Sequence, residues 1–212
     1  MKLVAIGIML AASGAVACRS GSVGDQSRVL PARGDQVEFF ESGLFHPEND
    51  DLDRFVRSWY SKHLAAMEEP SLLTSVSADT EIYRFLWLRT FHHPVAVRIT
   101  RRAGATNLHG VQLDGAGGYD PGKITDRFDK PVSAEGWSRL QKQLDTMQFW
   151  TMPTRDESLG VGADGAQWII EGWRSGARHV TDRWTPPEGP YRDTGLLFLE
   201  LADFSFPKKE IY

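Results

Sequence analysis

The chain carries one cysteine, Cys18. No disulfide can form within it, so its fold must be held by packing alone. About 175 residues follow residue 36, enough for one domain with its own core. Seven tryptophans and eleven phenylalanines supply the large buried side chains that such a core needs. At 41% hydrophobic and 25% charged, the balance is that of a globular domain. The net charge is −4 and no basic stripe is present, which speaks against a nucleic-acid binder.

The cysteine closes a patterned leader. Lys2 is followed by an apolar run over residues 3–10 and then by small residues up to Ala15-Val16-Ala17. Charge, apolar segment and small residues in that order form the layout of a secretory signal peptide. A bilayer span needs about 20 apolar residues, and Ser13 and Gly14 interrupt this run. Residues 1–17 are therefore expected to be removed, which takes away Lys2 and no acid and leaves the mature side chains at −5. Residues 18–36 are rich in Gly, Ser and polar side chains and read as a flexible tether.

Ala15-Val16-Ala17-Cys18 resembles a bacterial lipobox, with Ala15 where leucine is usual. The resemblance implies lipidation of Cys18 and a membrane partner through that anchor, at about 0.8 kcal/mol per buried CH₂. Arg19, and not aspartate, follows the cysteine. By similarity to Gram-negative lipoproteins, that leaves the periplasmic face of the outer membrane open as a destination. Plain secretion with Cys18 as a free thiol is the alternative.

From residue 37 the periodicities predict an α+β fold. Residues 37–40 read as a short strand or a lead-in. Pro47-Glu48-Asn49-Asp50-Asp51 marks a helix start, with acids at the positive end of the dipole. Leu52, Phe55, Val56, Trp59, His63 and Met67 follow at helical spacing, and Pro70 bounds the helix. Residues 82–89, 95–100, 108–113 and 123–129 read as strands joined by short turns, an antiparallel meander. Ser133 is an N-cap for a helix whose stripe is Trp137, Leu140, Leu144 and Met147. Asp164-Gly165 opens a hairpin with arms at 166–173 and 178–184, and Leu196 to Leu201 form a last helix. The prediction is a single domain over 37–212, an antiparallel sheet of meander plus hairpin with helices packed against it. Arg84, Arg89, Arg98, Arg101 and Arg102 read as its solvated face.

Candidate chemistry is sparse. In one hairpin register Glu171 faces His179, and Asp182 lies nearby, which suits a carboxylate-tuned general base. A slip of one residue puts Glu171 and His179 on opposite faces. The plainer reading is a cross-strand ion pair worth about 0.2–1 kcal/mol. No G-x-S-x-G nucleophile occurs. His92 and His93 are adjacent and point opposite ways in extended chain, and no H-E-x-x-H or C-x-x-C occurs, so no metal and no cofactor is expected. The glycine-rich loop from Asp114 to Asp120 fails the EF-hand pattern and reads as turn geometry. Trp168, Trp173 and Trp184 with Arg178 and Arg183 form an aromatic–arginine set that could stack on a sugar or dock a protein. The alternative places these rings in the core under the last helix, with arginine stems across them.

Residues 164–172, continued by His179 and Asp182-Arg183-Trp184, resemble a pattern of uncharacterised bacterial exported proteins, to which no activity attaches. The sequence thus predicts a lipid-anchored binding or interaction domain of the cell envelope, without catalytic activity. Its partners would be the membrane and an envelope protein or glycan, and no nucleic acid. The alternatives are an envelope hydrolase using Glu171, His179 and Asp182, and a glycan or small-ligand binder using Trp168, Trp173, Trp184 and Arg183.

Overall fold

The structure, a computed structural model, describes residues 37–73, 76–156 and 164–212. The leader over 1–17, the tether over 18–36 and Cys18 lie outside the described residues. The elements run α1 (Asp50–Ala66), β1 (Thr80–Arg89), β2 (Val95–Arg102), β3 (Ala105–Leu113), β4 (Ile124–Pro131), α2 (Ala134–Thr146), β5 (Ala166–Arg174), β6 (Ala177–Trp184) and α3 (Pro190–Leu201). The six strands form one sheet in the order β4-β3-β2-β1-β5-β6, every neighbouring pair antiparallel. The α+β architecture of meander plus hairpin is as the sequence predicts. The two parts join through β1, which pairs with β2 on one side and β5 on the other.

The turns explain the register. Ala103-Gly104 and Ser175-Gly176 both take positive φ, at 48° and 83° and at 52° and 81°. Two consecutive left-handed residues match the right-handed twist of the flanking strands and close tight hairpins. These two turns fix β2 against β3 and β5 against β6.

Both faces of the sheet are covered. Alternation along β1 sends Tyr83, Phe85 and Trp87 to one side and Leu86 and Leu88 to the other. The first set packs with Ile170, Trp168, Trp137, Leu140 and Phe198, under α2 and α3. The second packs with Ile169, Val180, Val56, Tyr60 and Leu64, under α1, and with Phe39, Phe40 and Phe45 from the segment before it. β1 is therefore buried along almost its whole length, which accounts for its near-continuous apolar sequence. Gly195 lets α3 lie close to the sheet, since a Cβ there would stand 2.5 Å from the Trp168 ring.

Two expectations are corrected. Arg84 and Arg89 are each only 1% exposed, so the sheet has no solvated arginine face at its centre. Arg89 lies between the Trp87 and Phe206 rings, at 4.1 and 4.6 Å from their centroids. On α1, Leu52 and Phe55 point outward, and the buried side is Asp53, Val56, Tyr60, His63 and Leu64. Of the two readings of residues 37–40 the lead-in holds: they form no strand, and Phe39 and Phe40 plug the core under α1.

Candidate functional site

The α1 face carries a row of charged side chains that runs straight across the sheet. Asp129 pairs with His109, His109 with Arg98, Arg98 with Arg84, and Arg84 with Glu171. Two arginines side by side would repel, and Glu69 resolves this from the turn after α1. Its Oε2 accepts from Arg98 Nε at 2.8 Å and from Arg84 Nη1 at 3.4 Å. Arg84 Nη1 also donates to the Pro70 carbonyl at 2.7 Å, and Nη2 donates to Glu171. Glu171 in turn accepts Arg178 Nε at 2.7 Å. Arg178 reaches onward to Glu41 and to the Phe39 carbonyl. The acids and bases are matched, and the buried network fastens the 38–41 segment and the post-α1 turn to the sheet.

A second polar junction lies along β6. Tyr60 from α1 donates to Asp182 Oδ2 at 2.9 Å, while Oδ1 has no partner. Burial pushes the Asp182 carboxyl up to about 6, against the hydrogen bond from Tyr60 and the nearby cations Arg155 and Arg183. The Tyr60 hydroxyl is raised too, first by burial and then by the Asp182 charge. Residues 155 and 182 form a parallel bridge, and the Asp182 N–H donates to the Thr154 carbonyl at 2.7 Å. Arg155 Nη1 sits 2.8 Å from His46 Nδ1.

The proposed catalytic set does not converge. The observed register pairs Glu171 with Val180 and Gly172 with His179. Glu171 and Asp182 thus face α1, while His179 faces the other side. There His179 Nε2 bonds the Met152 carbonyl at 2.9 Å and the ring packs on Phe149. Burial lowers its pKa below the usual histidine value. The arrangement opposite Glu171 that a general base requires is the register the hairpin does not adopt.

The tryptophans do not share a face either. Trp168 is fully buried beneath α3, its Nε1 donating to the Tyr212 carbonyl at 2.8 Å. Trp173 and Trp184 point to the α1 face, but their register positions are separated by six residues of β6, about 20 Å. Arg183 is a backbone staple, donating to the carbonyls of Thr154, Pro153 and Asp182. His92 bonds the Tyr212 hydroxyl, His93 the Gly115 carbonyl, and His109 belongs to the charged row. Among the described residues no group of three or more His, Cys, Asp and Glu is placed to hold a metal ion.

The structure reveals two surface features that the sequence reading missed. One is an exposed aromatic strip at the end of the sheet where β1 stops. Phe91 and Tyr119, 58% and 60% exposed, stack at 6.1 Å. Trp59 donates to the Gly117 carbonyl at 2.7 Å in the same loop and touches the exposed Phe55 at 6.3 Å. The i, i+4 spacing of Phe55 and Trp59 was visible, but as core. The other is a cavity of about 300 Å³ beside β6, lined by residues 41–44 and by Arg178, His179 and Val180. Its charged rim, Glu41 and Arg178, is already paired.

No protein-family model matches the sequence, and no curated protein matches it. Among the described residues, no helix is long and apolar enough to cross a membrane.

Proposed function

We propose that this chain is a lipid-tethered interaction domain of the cell envelope that catalyses no reaction. The observation that carries the reading is the leader, in which Lys2, an apolar run and Ala15-Val16-Ala17 precede the sole cysteine. In this reading, acyl chains on Cys18 hold the body at a bilayer.

The body supports this reading in two ways. Glu171 is committed to Arg84 and Arg178, and His179 lies across the sheet from it, so the two form no acid–base pair. The exposed rings give a partner, an envelope protein or a glycan, a surface of the amphipathic kind that recognition sites favour.

Mass spectrometry of protein extracted from its own cell tests the anchor. The expected species begins at an acylated Cys18 and leaves the membrane fraction on Cys18→Ser. A chain with Met1 intact in the cytosolic fraction would end the proposal.

A further inference from the structure

We infer that the outer edge of β6 at Arg178 and Val180 is a binding site for the main chain of an extended, uncharged peptide, which adds to the sheet as a short further strand. β6 is the last strand of the sheet, paired on one side with β5. The Thr185 N–H bonds the Ala166 carbonyl, so the odd-numbered residues face β5. The even-numbered residues therefore turn both N–H and C=O outward. At Asp182 those groups are used. Its N–H donates to the Thr154 carbonyl at 2.7 Å, and residues 155 and 182 form a parallel bridge. The protein's own main chain thus already extends the sheet at this edge.

Before residue 154 that segment turns away, and His179 Nε2 meets the Met152 carbonyl on the α2 face. At Val180 and Arg178 the outward row borders the cavity of about 300 Å³ instead. Among the described residues, no hydrogen bond reaches their outward main-chain groups. Val180 is 1% exposed. Buried backbone N–H and C=O groups are almost always paired, so a bare pair at the floor of a cavity marks the place of an incoming main chain. From that floor the edge rises through the partly buried Arg178 to the exposed Ala177, which leaves a way in.

The opposite wall is built in advance. Asp53 accepts the Gly43 and Phe45 N–H groups at 2.9 and 3.0 Å, and Arg178 holds Glu41 and the Phe39 carbonyl. Between these fastenings stand Ser42, Gly43 and Leu44. Glu41 and Arg178 neutralise each other, so a charged side chain entering here would find no counter-ion. The outward groups of Arg178 and Val180 repeat every second residue, about 7 Å, which is the spacing of an extended chain. Peptides that add to a sheet edge draw their affinity from such main-chain bonds. A second copy of this chain fits less well. β6 is recessed between the 41–44 segment and the Met152–Arg155 segment, which keeps two sheet edges apart, and the other edge, β4, carries the exposed charges Asp126, Arg127 and Asp129. The site is independent of an anchor at Cys18.

The test follows backbone amides of the full chain by NMR while an N-acetylated, C-amidated pentapeptide of alternating threonine and valine is added at millimolar concentration. The Arg178 and Val180 amides should shift, and hydrogen exchange at Val180 should slow by about tenfold or more. The same peptide with its amides N-methylated keeps its side chains, loses its donors and should leave both signals in place. Ser42→Trp, which fills the cavity from an exposed position, should weaken binding by about tenfold. Val180→Pro removes the outward donor and leaves the bonds to β5, so it serves as a second variant if Ser42→Trp does not fold. Signals at Arg178 and Val180 that ignore the peptide, or follow the methylated peptide equally, would overturn the site. So would shifts confined to Phe91 and Tyr119, which would place the peptide on the exposed rings. Protection of Val180 that grows with protein concentration in the absence of peptide would assign the edge to a second copy and overturn it as well.

Discussion

At the scale of single residues, two buried carboxylates pull stability in opposite directions with pH. Burial would raise Asp53, but the N–H groups of Gly43, Phe45 and His46 and the Arg57 guanidinium outweigh it and hold the carboxyl at about 2. Its anion is favoured in the folded state, so Asp53 contributes about 2 kcal/mol above pH 3.8 that is lost as pH falls toward 2. Asp182 is raised to about 6, so the native state binds its proton more tightly than the unfolded chain. It costs on the order of 3 kcal/mol above pH 6, and that cost disappears as pH falls from 6 toward 3.8. As far as these two groups decide it, stability should peak near pH 3.8, where the gain from Asp53 is nearly complete and the cost of Asp182 begins. Urea unfolding at a series of pH values checks this; Asp182→Asn should flatten the decline above the peak, and a profile that rises from pH 5 to 7 would contradict it. Glu69 is the other sensitive position, because it alone sits between Arg84 and Arg98. Glu69→Gln leaves two neighbouring cations without their shared acid and should cost about 3–5 kcal/mol. A loss below about 1 kcal/mol would mean that the row is solvated.

At the scale of elements, the starts of α1 and α2 fall where the sequence puts them, whereas α3 begins at Pro190, a turn and a half before the expected Leu196. Asn49 caps α1 by accepting the Leu52 N–H at 3.1 Å, and Ser133 caps α2 through Gly136 at 3.0 Å. Asn49→Ala should cost about 1 kcal/mol, read as a lower urea midpoint with an unchanged slope. The two tight hairpins were equally legible, because their turns carry a glycine at a left-handed position. What was not legible was orientation. Leu52 and Phe55 belong to the same apolar spacing as Val56, yet only the second side of α1 meets the sheet. An amphipathic period fixes that a helix has a face, and neighbouring polar contacts choose which one. Here Asp53, bonded to the Gly43–His46 segment, and Tyr60, bonded to Asp182, turn α1 so that Phe55 looks outward. The hairpin register stayed open in the sequence for a related reason. Glu171 opposite His179 satisfies pairing rules as well as the true register does, but only the latter puts Ile169 and Val180 in one core and Trp168 and Ile170 in the other.

At the scale of the molecule, β1 ties two cores into one unit, since it lends alternate side chains to each. Unfolding should therefore be a single cooperative event, with coincident far-UV circular dichroism and tryptophan fluorescence transitions; separate midpoints would show that the cores melt independently. Gly195 tests the closeness of α3 to the sheet. Gly195→Val should cost several kcal/mol by forcing Trp168 off its position, at least as much as a typical overpacking of about 1–3 kcal/mol, and an unchanged urea midpoint would show that the layer gives way freely. From the sequence alone came the strand and helix order, the caps, the hairpin turns, the antiparallel α+β class and the expectation of an exported, anchored chain, because each rests on short-range spacing and backbone chemistry. Tertiary structure alone decided that both sheet faces are covered, that Arg84 and Arg89 are buried, that Glu171 and His179 part company and that the exposed rings are Phe55, Phe91 and Tyr119. Those outcomes depend on which side chains far apart in the chain compete for the same buried space, and local periodicity carries no record of that competition.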